Sequence, residues 1–385
     1  MKNYGFILLC AILLMASCKK DDSNQDKSDG KGYEVITDDH LSGTVLAVDA
    51  FPESIRKVFI LNQGKMGSNG ASLDILRTKD GNYVCGIFKK MNPDEGAGLG
   101  DVGNDIAVLG DEIWIVVNNS GIVDVISARN EREIAAITVP TPRCIAFDEK
   151  YAYVTSWAGA SYGGSSNPKG RVYRIDIATK KVIDSVEVGH QPEGLAAYGG
   201  KLFVANSGGL TLPPDYSYDK DLSIIDTRTF TVSSTLEVAP NLQKVYSDGK
   251  GRIYVSTYCD YASINSALYA IDGKEPEEAV LLGEYASITA MHGGTVYCIG
   301  NKKELDWTAD PEWTSWKCSG GVKSDWNPGF DSSVSPYSIG ALSEDLFLIG
   351  DAGNYEEPGT VYCYSKGSKL WSVTSGVIPG AYAAW

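Results

Sequence analysis

Positive charge, histidine and metal-ligand spacings are what this 385-residue sequence has least of. Its 34 lysines and arginines are outnumbered by 49 aspartates and glutamates, which gives a formal net charge of −15. Because no basic stripe is available to neutralise phosphates, we expect no nucleic-acid partner. Only three histidines occur, and no cysteines have the CxxC spacing of a metal site. We therefore expect neither a metal nor a cofactor.

Apolar runs of the length that spans a bilayer are also missing. The run GFILLCAILLMA near the start has about a dozen residues, whereas a membrane-spanning helix needs ~20. A lysine precedes this run, and a small residue and Cys18 follow it, which is the order of an export signal. The sequence therefore predicts a signal peptide over residues 1–17.

The residues around Cys18, LMASC, resemble a bacterial lipobox. This resemblance implies that Cys18 becomes the lipidated first residue of the mature chain; the alternative is an ordinary signal peptide with an unrelated cysteine. Residues 18–32 are polar and charged, which predicts a disordered tether. Their first residues, KKDD after the cysteine, are similar to the surface-export signal of Bacteroidetes lipoproteins. We expect a lipid-anchored protein on the outer face of the outer membrane.

The remaining chain, residues 33–385, repeats one phrase of four short strands rich in β-branched and aromatic residues. Aligning the copies places an aromatic residue in every second strand and a small residue in most first strands. The aromatic column is Phe59, Trp114, Tyr153, Phe203, Tyr254, Tyr297 and Phe347. The first-strand column is Ala107, Ala146, Ala196, Tyr246, Thr289, Gly340 and Ala383.

The copies recur every ~40–50 residues, which is the spacing of four-stranded propeller blades. Small residues suit an innermost strand near a narrow axis, and large aromatic residues suit the next strand, between neighbouring blades. The sequence therefore predicts an all-β, seven-bladed β-propeller. The first copy lacks its first strand, and IPGAYAAW at 378–385 matches the missing one. We expect the C-terminal strand to complete the first blade and close the ring.

Two features outside this pattern remain open. Residues 33–54 precede the first blade and contain TVLAVDAF, which predicts either an extra edge strand or a plug. Six cysteines lie in the propeller and allow 15 pairings. Cys298 and Cys318 fall in strands expected to be adjacent, and they are the one disulfide pair predicted.

Long insertions fall on one face of the predicted propeller. The loops that follow each second strand and the connections between blades emerge on the same face, and these are long here, whereas the turns of the other face are short. The long loops carry aromatic, amide and acidic residues, which favour a binding site for a large, flat ligand rich in hydrogen-bonding groups. Aromatic residues that only pin these loops are the alternative. The predicted ligand-binding residues are Asn62, Gln63, Asn118, Trp157, Tyr162, His190, Glu193, Asn206, Tyr216, Tyr258, Tyr261, Trp307, Trp313, Asp351 and Tyr355.

Catalysis has little support in the sequence. His190, expected near the axis beside Glu193, is the only candidate for a general base. Acidic pairs such as Asp101/Asp105 and Asp306/Asp310 have the composition that glycoside hydrolysis requires, although acidic loops contain such pairs by chance. We therefore expect that the chain is not an enzyme.

The phrases GLGDVGNDI, VGHQPEGL and KLWSVTSGVIPGAYAAW resemble the YncE-like seven-bladed propellers found as Bacteroidetes surface lipoproteins. Within that group the chain is similar to the BtuG type. The resemblance implies capture of cobalamin or a related corrinoid as a ligand and its transfer to an outer-membrane TonB-dependent transporter. The alternatives are a surface binder of glycans or another nutrient, a protein-interaction platform, and a lyase or glycosidase.

Overall fold

The computed structural model describes residues 43–94, 96, 98–159, 168–209 and 218–385. Every described residue belongs to one compact unit within residues 41–385. The predicted signal peptide, lipidated Cys18 and tether lie outside the described residues.

Short strands follow one another along the described unit, interrupted by one short helix, α1 (Ile87–Met91). In this part of the chain no helix is long and apolar enough to cross a membrane. The strands are β1 (Thr44–Val45), β2 (Lys57–Asn62), β3 (Ser72–Arg77), β4 (Asn82–Val84), β5 (Gly103–Leu109), β6 (Glu112–Val117), β7 (Ile122–Ser127), β8 (Glu133–Thr138), β9 (Pro142–Phe147), β10 (Tyr151–Ser156), β11 (Lys169–Asp176), β12 (Lys181–His190), β13 (Pro192–Tyr198), β14 (Lys201–Asn206), β15 (Asp221–Asp226), β16 (Thr231–Glu237), β17 (Leu242–Ser247), β18 (Arg252–Thr257), β19 (Ala267–Asp272), β20 (Ala279–Glu284), β21 (Ile288–His292), β22 (Thr295–Asn301), β23 (Trp313–Ser319), β24 (Val322–Asp325), β25 (Ser338–Ala341), β26 (Leu346–Asp351), β27 (Pro358–Ser365), β28 (Ser368–Val377) and β29 (Pro379–Ala384).

These strands form seven small antiparallel sheets, and the prediction of a seven-bladed β-propeller is confirmed. Blades two to seven are the consecutive groups β5–β8, β9–β12, β13–β16, β17–β20, β21–β24 and β25–β28. Blade one has the order β1-β4-β3-β2-β29. The first strand of each group, together with β29 in blade one, is the innermost strand of its sheet.

The ring closes as predicted, because β29 pairs antiparallel with β2 in blade one. Ala383 of β29 lies opposite Phe59 of β2. Beyond the strand, the backbone N–H groups of Arg56 and Lys57 donate to the Trp385 carbonyl at 2.6 and 2.9 Å. The two ends of the propeller sequence are therefore held in one sheet by backbone hydrogen bonds.

The seven aromatic residues of the second strands are all buried, with at most 3% of their surface exposed. The residues opposite them match the predicted first-strand column in blades one to five. In blades six and seven the partners are Ala290 and Ala341, one position beyond the predicted Thr289 and Gly340. The hairpin between the first and second strands sets the register in these blades, and an alignment based on residue size does not predict it.

The aromatic column fills the space between neighbouring blades. Trp114 of blade two meets Phe147 of blade three edge to face, with ring centroids 5.5 Å apart. Tyr297 of blade six and Phe347 of blade seven meet in the same way at 4.8 Å. Six of the seven rings pack against the next blade, and Phe347 packs back against blade six. The core is therefore a ring of interfaces, and the axis is left open.

Of the two interpretations of residues 33–54, the described part supports the edge strand. β1 pairs with β4 at the outer side of blade one, which therefore has five strands. Leu46 and Phe51 of this segment are buried, and Phe51 stacks on Trp371 of blade seven with ring centroids 6.5 Å apart. The segment covers the outer junction between the first and last blades.

The predicted disulfide is absent: Cys298 and Cys318 are both free thiols. They do lie on the adjacent strands β22 and β23, but Cys298 is opposite Trp316 and Cys318 is opposite Val296. The two thiols therefore occupy different rows of the sheet, and a disulfide would require a different register.

Candidate ligand-binding site

A cavity of about 1310 Å³ lies on the propeller axis. All seven innermost strands contribute to its wall, with residues such as Asp105, Arg143 and Lys244. The loops that line its mouth follow the second strands of their blades, and they include Met66, Asn119 and the segment around Asp260. The cavity therefore opens on the face where the sequence places its long loops.

One side of the mouth is a row of aromatic rings from three consecutive blades. Tyr261 lies between Tyr218 and Trp307, with ring centroids 6.4 and 5.2 Å away. Trp307 and Tyr261 are exposed, with 74% and 45% of their surface accessible. These rings therefore offer wide apolar faces to a ligand at little cost in side-chain entropy.

Beside this row, an arginine, a glutamate and a tryptophan from blades three and four form one cluster. The Arg143 guanidinium donates to Glu193 from Nε at 3.0 Å, and a terminal nitrogen lies 3.0 Å from the same carboxylate. The same guanidinium lies 4.4 Å from the Trp157 ring centroid. Trp157 is 9% exposed, and its indole N–H has no partner among the described residues. The indole N–H of Trp157 is therefore a buried donor that can bind a ligand or a water molecule.

Amide side chains are the other main feature of the wall, and backbone and side-chain partners hold several in place. Asn118 donates to the Pro142 carbonyl at 2.9 Å, and Gln63 accepts from the Tyr337 hydroxyl at 2.9 Å. Amides held in this way present fixed donors and acceptors to a ligand. The amides that line the cavity are Gln63, Asn104, Asn118, Asn119, Gln191, Asn241 and Gln243.

Burial changes the ionisation of several groups in the wall. It raises the pKa of the Cys144 thiol to about 12 and raises the pKa of Tyr258 and Tyr337 above the ordinary value. At neutral pH these three groups are therefore neutral hydrogen-bonding groups. Among the described residues no group of three or more histidine, cysteine, aspartate or glutamate side chains has the arrangement of a metal site.

The structure brings seven of the predicted ligand-binding residues together in this cavity. They come from six blades and share no sequence neighbourhood beyond their position in the repeat. They are Gln63, Asn118, Trp157, Glu193, Tyr258, Tyr261 and Trp307.

Other predicted residues lie outside the cavity. Asn62 and Asn206 are buried, and their amide nitrogens donate to Ser72 and Ser223 of their own blades. The amide oxygen of Asn206 also accepts from the Gly189 N–H of blade three at 3.0 Å. Trp313 packs in the core between blades six and seven. The Nδ1 of His190 lies 3.1 Å from Asp219.

Asp351 and Tyr355 belong to the loop side of blade seven. Asp351 accepts from the backbone N–H groups of Ser335 and Gly353 at 3.0 and 2.9 Å, so its carboxylate shapes a loop. Tyr355 is exposed and meets Tyr337 edge to face at 5.7 Å, behind the cavity wall. The predicted Tyr162 and Tyr216 lie outside the described residues.

The innermost strands contribute polar residues that the sequence analysis did not place among the ligand-binding residues. Asp105, Cys144 and Lys244 each stand two positions before the residue of the first-strand column in their blades. Side chains two apart on a strand share a face, so residues at this position converge on the axis. The Lys244 ammonium lies 3.9 Å from the Cys144 sulfur, across 100 residues of sequence. Inspecting the residues two positions before the first-strand column in the sequence would have identified them.

No family model matches the sequence, and no curated protein matches it significantly. Solved structures do. Hydrazine synthase from Kuenenia stuttgartiensis is similar over 72% of this chain and 88% of that chain, with 16% identity and a TM-score of 0.53. Apo AztD from Citrobacter koseri is similar over 86% of this chain and 98% of that chain, with 9% identity and a TM-score of 0.50. At these identities the likeness shows a shared propeller fold.

The expectation that the chain is not an enzyme is wrong, because the features on which it rested do not exclude catalysis. Hydrazine synthase is an enzyme and shares this fold at the level of overall architecture. The scarcity of histidine and the propeller architecture therefore do not exclude catalysis. The likeness is one of fold, and it assigns no catalytic residue to this chain.

Proposed function

We propose that the axial cavity binds a corrinoid, cobalamin or a close relative. The observation that carries the proposal is the combination of size and lining: the cavity is about 1310 Å³ and is walled by aromatic rings and seven amides. Sites for drug-sized ligands measure roughly 300–1,000 Å³. A cavity above this range favours a ligand of unusual size.

The lining suits a corrin ring fringed with amides. The flat macrocycle would lie against the aromatic row of Tyr218, Tyr261 and Trp307, whose rings adjoin one another at the mouth. The peripheral amides of the ligand would meet side chains such as Asn118 and Gln63, which are held by the propeller itself. Aromatic faces and fixed amides supply affinity and orientation respectively.

We further propose that this activity lies at a cell surface. The lipobox-like residues before Cys18 and the acidic KKDD that follows support a lipid-anchored protein on the outer face of the outer membrane. The blade phrases support a YncE-like propeller of the BtuG type from a member of the Bacteroidetes. In this proposal the protein captures the corrinoid and hands it to a TonB-dependent transporter.

The test is titration calorimetry of the full chain in mild detergent with cyanocobalamin. We expect one-to-one binding and a rise in melting temperature. A ligand present at 1,000 times its dissociation constant stabilises the folded state by ~4 kcal/mol. Trp307→Ala should weaken binding at least about tenfold, which corresponds to ~1.4 kcal/mol. Tyr355→Ala is the matched control, because Tyr355 is exposed on the same face but does not line the cavity. An absence of both heat and thermal shift would overturn the proposal.

One observation favours a second candidate, a glycan ligand. The exposed rings of Tyr261 and Trp307, 5.2 Å apart, form a platform of the kind on which sugar rings stack. A glycan binder would show no thermal shift with cyanocobalamin and would respond to soluble oligosaccharides. Loss of that response in Trp307→Ala would assign the same mouth to sugars.

A further inference from the structure

The wall of the cavity contains two described cations, and one of them has no acidic partner. Arg143 is paired with Glu193 at 3.0 Å. The ammonium of Lys244 has no carboxylate within 4.0 Å among the described residues, and its polar contact is the Cys144 sulfur at 3.9 Å. An ammonium carries three donors, so most of its hydrogen-bonding capacity is unused by the described protein.

The neighbouring acid does not supply the missing contact. Asp105 accepts from the backbone N–H groups of Ile106 and Ile145, at 3.1 and 3.0 Å, one on each carboxylate oxygen. The neighbouring Cys144 and, to a smaller extent, the Asp105 charge favour the protonated form of Lys244, so the pKa of the lysine is raised. The Cys144 thiol is neutral at physiological pH, since burial raises its pKa to about 12. Lys244 is therefore a partly buried cation that lacks a direct counter-ion.

The fold itself does not require a cation at this position. Lys244 stands two positions before Tyr246, the strand partner of the second-strand aromatic residue of its blade. The residue two positions before the corresponding partner is Ile288 in blade six, Ile339 in blade seven and Ala381 in blade one. All three line the same cavity. Since apolar residues satisfy the same register position in the same molecule, the lysine of blade five serves something other than blade packing.

We propose that Lys244 forms an anion subsite on the propeller axis, which receives a negatively charged group of the bound ligand. Tyr258 lines the cavity on the same blade, and its hydroxyl makes no hydrogen bond with a described residue, so it is a second donor for the anion. On the corrinoid proposal, on which this inference rests, the anionic group is the phosphodiester of the nucleotide loop. A charge-assisted hydrogen bond to a partly buried anion contributes about 1.5–3 kcal/mol, or roughly tenfold or more in affinity.

The experiment compares two corrinoids that differ in this group. Cyanocobalamin has the nucleotide loop with its phosphodiester, whereas dicyanocobinamide lacks both. Affinities are measured by titration for the full chain, for Lys244→Met and for Lys244→Gln. Lys302→Met is the matched control, because Lys302 is an exposed lysine paired with Glu312 at 3.0 Å. Melting curves of each variant verify that it is folded.

We expect each Lys244 variant to lose about tenfold or more in affinity for cyanocobalamin and to bind dicyanocobinamide within about twofold of the parent chain. Lys302→Met should change neither affinity. Equal losses for both corrinoids, or no loss for either, would overturn the anion subsite and leave corrinoid binding in place. If the parent chain binds neither corrinoid, the proposed function and this inference fail together.

Discussion

Replacing glutamate by glutamine in three ion pairs should lower the free energy of unfolding, most for the most buried pair and least for the most exposed pair. The Glu131–Lys57 pair joins blades one and two at 2.6 Å, and its side chains are only 3% and 13% exposed. The Glu193–Arg143 pair lies in the cavity at 3.0 Å, with 9% and 18% exposed. The Glu312–Lys302 pair has the same 3.0 Å separation but is 53% and 45% exposed.

The expected losses follow from what each change leaves behind. Glu131→Gln leaves Lys57 buried without its counter-charge, and Arg77 lies 3.8 Å from the same carboxylate, so we expect a loss of about 3–5 kcal/mol. Glu193→Gln should cost about 1–3 kcal/mol, because Arg143 borders an open cavity and keeps its contact with Trp157. Glu312→Gln should have the smallest effect of the three, since water screens an exposed pair.

Urea unfolding of the full chain, followed by tryptophan fluorescence and circular dichroism, measures the three losses. Variants with unchanged slopes can be compared through their midpoints. Adding Lys57→Met to Glu131→Gln should recover part of the loss, because it removes the uncompensated buried charge. Equal midpoints for Glu131→Gln and Glu312→Gln would refute the reasoning that burial governs these pairs.

Three further outcomes follow from the fold. Deleting residues 378–385 removes the strand that completes blade one, so the truncated chain should be cut rapidly in limited proteolysis; resistance equal to the full chain would contradict ring closure. Alkylation in denaturant without reductant should label both Cys298 and Cys318, and a peptide pair linked by a disulfide would contradict the free thiols. Burial raises the pKa of Cys144 and Cys363 to about 12 from the ordinary 9, so the unfolded chain loses these protons first. Stability should therefore be retained below pH 9 and fall towards pH 12, by up to about 1.4 kcal/mol per pH unit for each thiol, and urea midpoints of Cys363→Ala should show a shallower fall.

The repeat made the fold readable from sequence. Period-two strands, the aromatic column and the small residues of the first strands all reflect local demands that recur in each blade, and the missing first strand pointed to its replacement at 378–385. Register was harder: the columns shifted by one position in blades six and seven, where Ala290 and Ala341 replace Thr289 and Gly340 as partners. Strand pairing is a relation between two segments, so a pattern within one segment leaves it undetermined.

The site was predicted in part, for a physical reason. Loop aromatic residues such as Trp307 and Tyr261 are conspicuous in sequence because exposed loops rarely carry them, and both line the cavity. Asn62 and Asn206 looked equally suitable, but both side chains are buried in the sheets, where their amide nitrogens donate to Ser72 and Ser223. Whether a polar side chain at a strand end points to the axis or into the sheet depends on the pleat, which is fixed only when the strand has its partners.

The innermost strands provide an internal comparison that separates what the fold needs from what a ligand needs. At one register position, blades one, six and seven carry Ala381, Ile288 and Ile339, whereas blades two and five carry Asp105 and Lys244. Blades two to seven are alike in strand number and strand order, so the four-stranded sheet accepts both kinds of residue. Charged groups that border a low-dielectric interior cost stability unless they are paired. The charged residues of the innermost strands, Asp105, Arg143, Glu193 and Lys244, lie on blades two to five, whereas blades six, seven and one are apolar at this position. This distribution is therefore best accounted for by an asymmetric ligand with a polar, charged side and an apolar one.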